Sequence, residues 1–173
     1  MHDAFGALVV VTAATTLLGP APARAEGEFA GACTMSLTAA FSPPLSTSFV
    51  ARSASLGATG TCVVNGTSAQ LFLSATVATP SLGGGFNCAA GVMTGTGSVR
   101  ITAPGFPDPL VEIQIVNTAG VLTMTLETLL VTFEGVTELV PTPGQYLSCV
   151  TGSLASGTWS GAMAFQDPYP PPV

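Results

Sequence analysis

Gly57 to Val77 reads GATGTCVVNGTSAQLFLSATV, and this stretch decides the fold class. Two apolar-rich runs meet at Asn65-Gly66. Both residues of that pair tolerate the positive φ of a type I′ turn, so Asn-Gly between alternating runs marks a β-hairpin. Pairing Val64 with Thr67 sets Cys62 opposite Ala69. The second run puts Ala69, Leu71, Leu73, Ala75 and Val77 on one face and Gln70, Phe72, Ser74 and Thr76 on the other. A period of two is that of a half-buried strand.

The same pattern extends in both directions. Glu28 to Thr38 alternates, with Phe29, Gly31, Cys33, Met35 and Leu37 on one parity. This first strand is expected to break at Ser42-Pro43-Pro44-Leu45, because proline has no N–H to give to a ladder. Phe49 to Leu56 reads as a second strand, with Gly57 a bulge or corner before the hairpin. TPSLGGG at 79–85 is a loop by composition. Phe86 to Ala90 and Val92 to Thr102 read as one long strand bent at Gly91. Gly95 and Gly97 fall in GTGS, where no lysine follows, so they mark a kinked strand in a curved sheet and not a phosphate loop. After the PGFPDP loop come a strand at Leu110 to Asn117, a turn at Ala119-Gly120, and strands at Val121 to Phe133 and Val136 to Val140. PTPG at 141–144 is a loop, and Tyr146 to Val150 and Thr158 to Phe165 complete the set. Trp159 shares its parity with Met163 and Phe165, which places it in the core. Phe72 is either an exposed anchor or packed under a second sheet. No amphipathic helix pattern follows the N-terminal run. About nine short strands define an all-β domain, an antiparallel sandwich or barrel.

The chain has 173 residues, one domain's worth. Charged residues are 7%, against a usual share of about 25%. Phe5 to Leu18 is the one long apolar run, shorter than the roughly 20 residues that span a bilayer. Ala23-Arg24-Ala25 follows it, so 1–25 reads as a cleaved secretory signal, although His2 and Asp3 stand where lysine or arginine is usual. The expected organisation is a signal at 1–25, one β-domain at 26–166 and a proline-rich disordered tail at 167–173. No transmembrane segment is expected.

Cys33, Cys62, Cys88 and Cys149 all lie beyond the signal. An even count in an exported chain points to two disulfides, with three connectivities allowed by the count. Cys33–Cys62 joins the opening strand to the hairpin expected beside it. Cys88–Cys149 ties the middle of the sheet to its end. That pairing is the expected one. With no C-x₂-C pair and no histidine beyond His2, a zinc site is not expected.

Charge and chemistry exclude more than they suggest. Beyond residue 25 the only cations are Arg52 and Arg100, and the formal net charge is −6. Nucleic acid is not an expected partner, because phosphate neutralisation needs clustered lysine and arginine. Charge-driven docking on anionic membranes is excluded on the same ground. Serine or cysteine nucleophiles paired with histidine, lysine-based catalysis and Walker-type loops all lack their essential residue. Carboxylates remain. Glu127, Glu134 and Glu138 are the candidate catalytic set, since two carboxylates across a cleft hydrolyse a glycosidic bond. The same residues also read as a solvated face. No calcium-loop spacing accompanies them, and neither metal nor cofactor is expected. The strands between Arg52 and Arg100 carry no charge. Their edges must therefore be covered by closure or by a partner.

Following the signal, the chain carries GACTMS, GTCVVNG, FNCAAGVMTGTGSV and LSCVTG, with an Ala/Gly/Thr bias and no lysine. In this it resembles small secreted β-proteins of unassigned function from high-GC Gram-positive bacteria. That resemblance covers most of the chain and supplies no catalytic residues. The composition is also similar to that of secreted antibiotic-carrying apoproteins with an immunoglobulin-like fold, although the cysteine contexts differ. The function expected is that of a secreted, non-catalytic binding or surface-assembly domain. Its expected partners are neutral cell-wall glycan, a small apolar ligand in the barrel, or another copy. The alternative is a carboxylate-dependent glycan hydrolase. Intact-mass analysis of protein from culture medium is expected to find Glu26 as the first residue; a cytoplasmic species retaining Met1 would contradict the signal.

Overall fold

The computed structural model describes residues 30–106, 108–128 and 134–166, with only the backbone at 134–138 and 166. Eight antiparallel strands close into one up-and-down barrel. They are β1 (Ala30–Leu45), β2 (Ser53–Val64), β3 (Thr67–Ala78), β4 (Ala90–Ile101), β5 (Leu110–Thr118), β6 (Val121–Thr128), β7 (Glu134–Pro141) and β8 (Leu154–Gln166). One helix, α1 (Pro143–Thr151), lies between β7 and β8. The fold is thus all-β and antiparallel, with the barrel rather than the sandwich realised. The expected signal and tail lie outside the described residues.

The opening hairpin forms in the expected register, Val64 with Thr67 and Cys62 with Ala69. Asn65 and Gly66 take φ of 48° and 83°. Asn65 also fastens the start of β1: its N–H donates to the Ala30 carbonyl at 2.9 Å, and its Oδ1 accepts from the Ala30 N–H at 3.1 Å. The Cys33–Cys62 disulfide then links directly paired positions of β1 and β2.

Alternation decides which side chains face the axis. Leu37, Leu71, Met93, Val99, Ile113 and Met124 are almost fully buried, whereas the intervening Ser, Thr, Gln and Glu positions are exposed. The interior is a packed core. Its polarity is the reverse of a lipid-spanning barrel, whose apolar residues face outward. Among the described residues no helix is long and apolar enough to cross a membrane.

Small inward residues cluster on β2 to β4: Ala54, Ala58, Gly60, Ala75, Gly95 and Gly97. A Cβ at Gly95 would fall 1.9 Å from the Thr76 carbonyl oxygen, and one at Gly97 2.5 Å from the Ala75 Cβ. The wall therefore folds inward here, as expected for a glycine-kinked strand. Gly57 does not do this. It pairs regularly with Thr38 and Ser74, with open space around it, and is neither bulge nor corner.

One end of the barrel, the loop end, carries the 46–52 and 79–89 connections, the Ala119-Gly120 turn and α1. The other, the terminal end, has the start of β1, the end of β8 and the Asn65-Gly66 turn. The loop end is organised around Arg52. Its Nε donates to the Phe86 carbonyl at 2.7 Å, Nη1 to the Pro43 carbonyl at 2.8 Å and to the Pro44 carbonyl, and Nη2 to Ser46 Oγ and the Ser48 carbonyl at 3.0 and 3.1 Å. Burial lowers Arg52 from its usual value, and these neutral acceptors replace the lost water. Phe86 plugs the core beneath, stacked on Phe41, which meets Trp159 edge-on.

Two departures from the sequence reading lie around Arg52. Phe49 to Arg52 do not extend as the start of a strand, because the Ser48 carbonyl turns toward the guanidinium while the Ser46, Thr47 and Val50 carbonyls accept from Cys88, Asn87 and Phe86; β2 begins only at Ser53, and Val50–Phe86 is an isolated bridge. Nor do Pro43 and Pro44 end β1, which runs on to Leu45. The prolines fall where the pairing with β8 shifts between Ala40 and Leu45, so no donor is required of them.

Two other expectations are corrected. Residues 86–89 are not strand, because Asn87 Oδ1 accepts from the Ala89 and Ala90 N–H groups and turns the chain; β4 starts at Ala90. Residues 146–150 belong to a helix. Pro143 supplies its first turn, and Cys149, its one buried residue, is bonded to Cys88. Among the described residues the strands number eight, in keeping with the expected all-β set of about nine. Both disulfides are those expected from the sequence.

Gly95→Ala is expected to destabilise by about 1–3 kcal/mol through overpacking. Gly57→Ala, in open space, is expected to stabilise by about 0.4–1 kcal/mol by restricting the unfolded chain. Urea unfolding of the two variants checks the contrast; equal shifts would mean that the wall is not folded inward at Gly95.

Candidate functional site

The inward fold of the wall leaves its mark outside. Two depressions lie side by side on the outer surface of β2 to β6. One, of about 520 Å³, is lined by Ser55, Ser74, Thr76, Thr96, Ser98 and Leu110 over a floor that includes Ala75 and Gly97. The other, of about 370 Å³, is lined by Thr94, Thr96, Glu112, Gln114, Thr125 and Glu127 over Gly95 and Ile113. Thr96 borders both.

Strand register turns this lining into a row. Ser55 pairs with Thr76, Thr76 with Thr96, Thr96 with Glu112, Glu112 with Glu127, and Glu127 with Glu134. Neighbouring strands are about 4.8 Å apart, so the row is a ladder of three hydroxyls followed by carboxylate positions at that spacing. Thr94, Gln114 and Thr125 form a parallel row beside it. The side chains whose burial is described, from Ser55 to Glu127, face solvent or are partly exposed.

The sequence-derived carboxylates divide. Glu127 lines the second depression, and the Glu134 backbone is its direct partner on β7. Glu138 is not in the row. It pairs with Thr123, four residues along the strand, a displacement of about 13 Å. Glu112 was not singled out in the sequence, yet it is the carboxylate position opposite Glu127. The signal was available: counting back from the Ala119-Gly120 turn aligns 112 with 127.

Other groups stand apart from this site. Arg100 and Asp108 approach to 3.9 Å on the exposed wall, a pair of little energetic weight. Phe72 is an exposed outward residue beside Ser74, and Trp159 is buried in the core, its Nε1 without a hydrogen-bond partner. A small cavity under α1, of about 10 Å³, touches Asn117, Tyr146, Cys149 and Trp159. It has room for about one water molecule. Among the described residues no group of three or more His, Cys, Asp or Glu is placed to hold a metal.

The arrangement offers hydrogen-bond donors and acceptors in a shallow, wet groove. It has neither enclosure nor an aromatic wall, so it suits recognition of a polar surface better than a reaction that excludes water. The class defined by fold and groove is an up-and-down β-barrel with a packed interior and a hydroxyl-lined outer depression. No family model, curated protein or solved structure matches the chain.

Like charges directly opposite across a ladder oppose pairing. Glu127→Gln is therefore expected to stabilise the barrel at low salt by about 0.2–1 kcal/mol. The gain should shrink as salt screens the exposed carboxylates. Urea unfolding at two ionic strengths measures both; a loss of stability at low salt would show that Glu127 has a favourable partner.

Proposed function

We propose that this is an exported, non-catalytic domain that binds a neutral, hydroxyl-rich polymer such as cell-wall glycan in the outer depression. The observation that carries the reading is the Ser55–Thr76–Thr96 row running into Glu112 and Glu127. Hydroxyls and carboxylates at the interstrand spacing pair with successive ligand hydroxyls, and the two joined depressions give a chain molecule room to lie across the strands. Two disulfides support an oxidising compartment, hence export. The barrel's own side chains fill its axis, which argues against the apolar ligand considered from the sequence. Closure likewise removes the free strand edges that assembly by edge pairing would use.

The hydrolase reading keeps one specific support, the Glu112–Glu127 pair. Directly opposed positions lie near the separation used by retaining glycosidases, about 5–5.5 Å between carboxyl groups. Against it stand the exposure of both residues and the shallow groove.

Retention on insoluble peptidoglycan, chitin and cellulose tests the proposal. Binding to at least one is expected, and it should persist at high salt because no net charge pairing is involved. Thr96→Trp fills the shared border of the depressions and is expected to abolish retention. Ser160→Trp, on the outer face of β8, is expected to leave it intact. Retention that collapses with salt would refute the reading, and glycan turnover lost in Glu127→Gln would replace it with hydrolysis.

A further inference from the structure

The loop end carries a different surface. Phe49, Val50, Leu82, Val140, Tyr146 and Leu147 are exposed there, while the other large exposed apolar residues among those described lie on the outer wall. Leu82, at the tip of the 79–89 connection, is 96% exposed and so stands clear of its own chain. Beneath the tips the loops are tied together. The Phe86 N–H donates to the Val50 carbonyl at 3.0 Å, the Cys88 N–H to the Ser46 carbonyl at 3.0 Å, and Cys88 is bonded to Cys149 of α1. The tips thus project from a fixed frame.

Charge is segregated away from them. The 46–51, 79–89 and 142–153 segments contain no charged residue, and the one charge at this end, Arg52, is buried. Acidic positions begin at Glu138 on β7 and continue toward the terminal end through Glu134, Glu127, Glu112 and Asp108.

We propose that the loop end docks on a lipid surface, inserting Leu82, Phe49 and Leu147 at the headgroup boundary. An uncharged end loses no charge hydration on entering that region, and the carboxylates stay in water on the far side. A fluid surface receives an isolated projecting side chain such as Leu82, whereas a second copy or a rigid protein needs a matching pocket for it. Tyr146, apolar in body and polar at its tip, suits the same boundary. This docking does not depend on the outer depression.

Co-sedimentation of the full chain with phosphatidylcholine vesicles tests it. Binding is expected at low and high salt, and adding phosphatidylglycerol should not strengthen it. Leu82→Asp should lower the partition coefficient by at least about tenfold, the burial of one leucine side chain. Leu82→Ser should lower it to a lesser extent, and Val63→Asp, on the outer wall near the terminal end, should not change it. Thr96→Trp should also leave it unchanged, which separates this test from that of the groove. Leu82 packs against nothing, so the near-ultraviolet signal of Trp159 should stay native in its variants. Absence of vesicle binding, binding insensitive to Leu82→Asp, or a dimer in sedimentation velocity that Leu82→Asp dissolves without vesicle binding would each overturn the proposal.

Discussion

The pairing of β1 with β8 is the constraint on which the structure depends. It joins the first and last strands from Ala30–Gln166 to Ala40–Ser156 and removes both free edges of the sheet. Charge, the usual defence of an edge, is not available to strands built from Ser, Thr, Gly and Ala. Closure replaces it. The partners are far apart in sequence, so loop-closure entropy is overcome only when the intervening hairpins are in place. Two of those hairpins turn in two residues, at Asn65-Gly66 and Ala119-Gly120, and every pairing other than the closing one joins strands adjacent in sequence, which keeps it local.

The barrel wall is uneven because its inward residues are. β5 and β6 fill the axis with Val111, Ile113, Ile115, Leu122, Met124 and Leu126. The contribution from β2 to β4 mixes alanine and glycine (Ala54, Ala58, Gly60, Ala69, Ala75, Gly95 and Gly97) with larger residues such as Leu56, Leu71, Leu73 and Met93, and is smaller on average. Core packing requires contact, so the wall with the smaller side chains folds inward to meet the larger ones. The outer depressions follow from that inward choice. An outer surface of small hydroxyl side chains leaves them open, since no long side chain arches over the floor. The same economy of charge that makes the outer faces of β2 and β3 neutral leaves the loop end neutral too.

How much was legible in the sequence follows from the range of the interactions involved. The Asn65-Gly66 hairpin was readable to the residue, because turn chemistry and alternation are local. The Cys33–Cys62 bridge was readable once β1 was set beside the hairpin, and Cys88–Cys149 followed as the remaining pair although neither of its cysteines lies in a strand. Residues 49–52 were misread as strand because the loop around them is set by Arg52, which takes carbonyls from Pro43, Pro44 and Ser48 nearby and from Phe86, 34 positions away. No periodicity encodes that. Helix α1 buries Cys149 alone, so it shows no apolar stripe, and that one buried residue is bonded to a cysteine 61 positions away. At the candidate site, Glu127 was picked out while its opposite neighbour Glu112 was not. The hydroxyl row escaped notice altogether, since it exists only across three strands, β2 to β4.

Ala30 and Gln166 face each other across the closing ladder, so the two ends of the barrel backbone are neighbours in space. The cyclic order of the strands is therefore complete in itself, and no strand is first or last in any physical sense. A short linker between those ends, with the chain reopened at the Ala119-Gly120 turn, preserves every strand pairing and both disulfides. Such a circular permutant places its new termini at the loop end, so the barrel can be tethered from either pole while the depression on its flank stays uncovered.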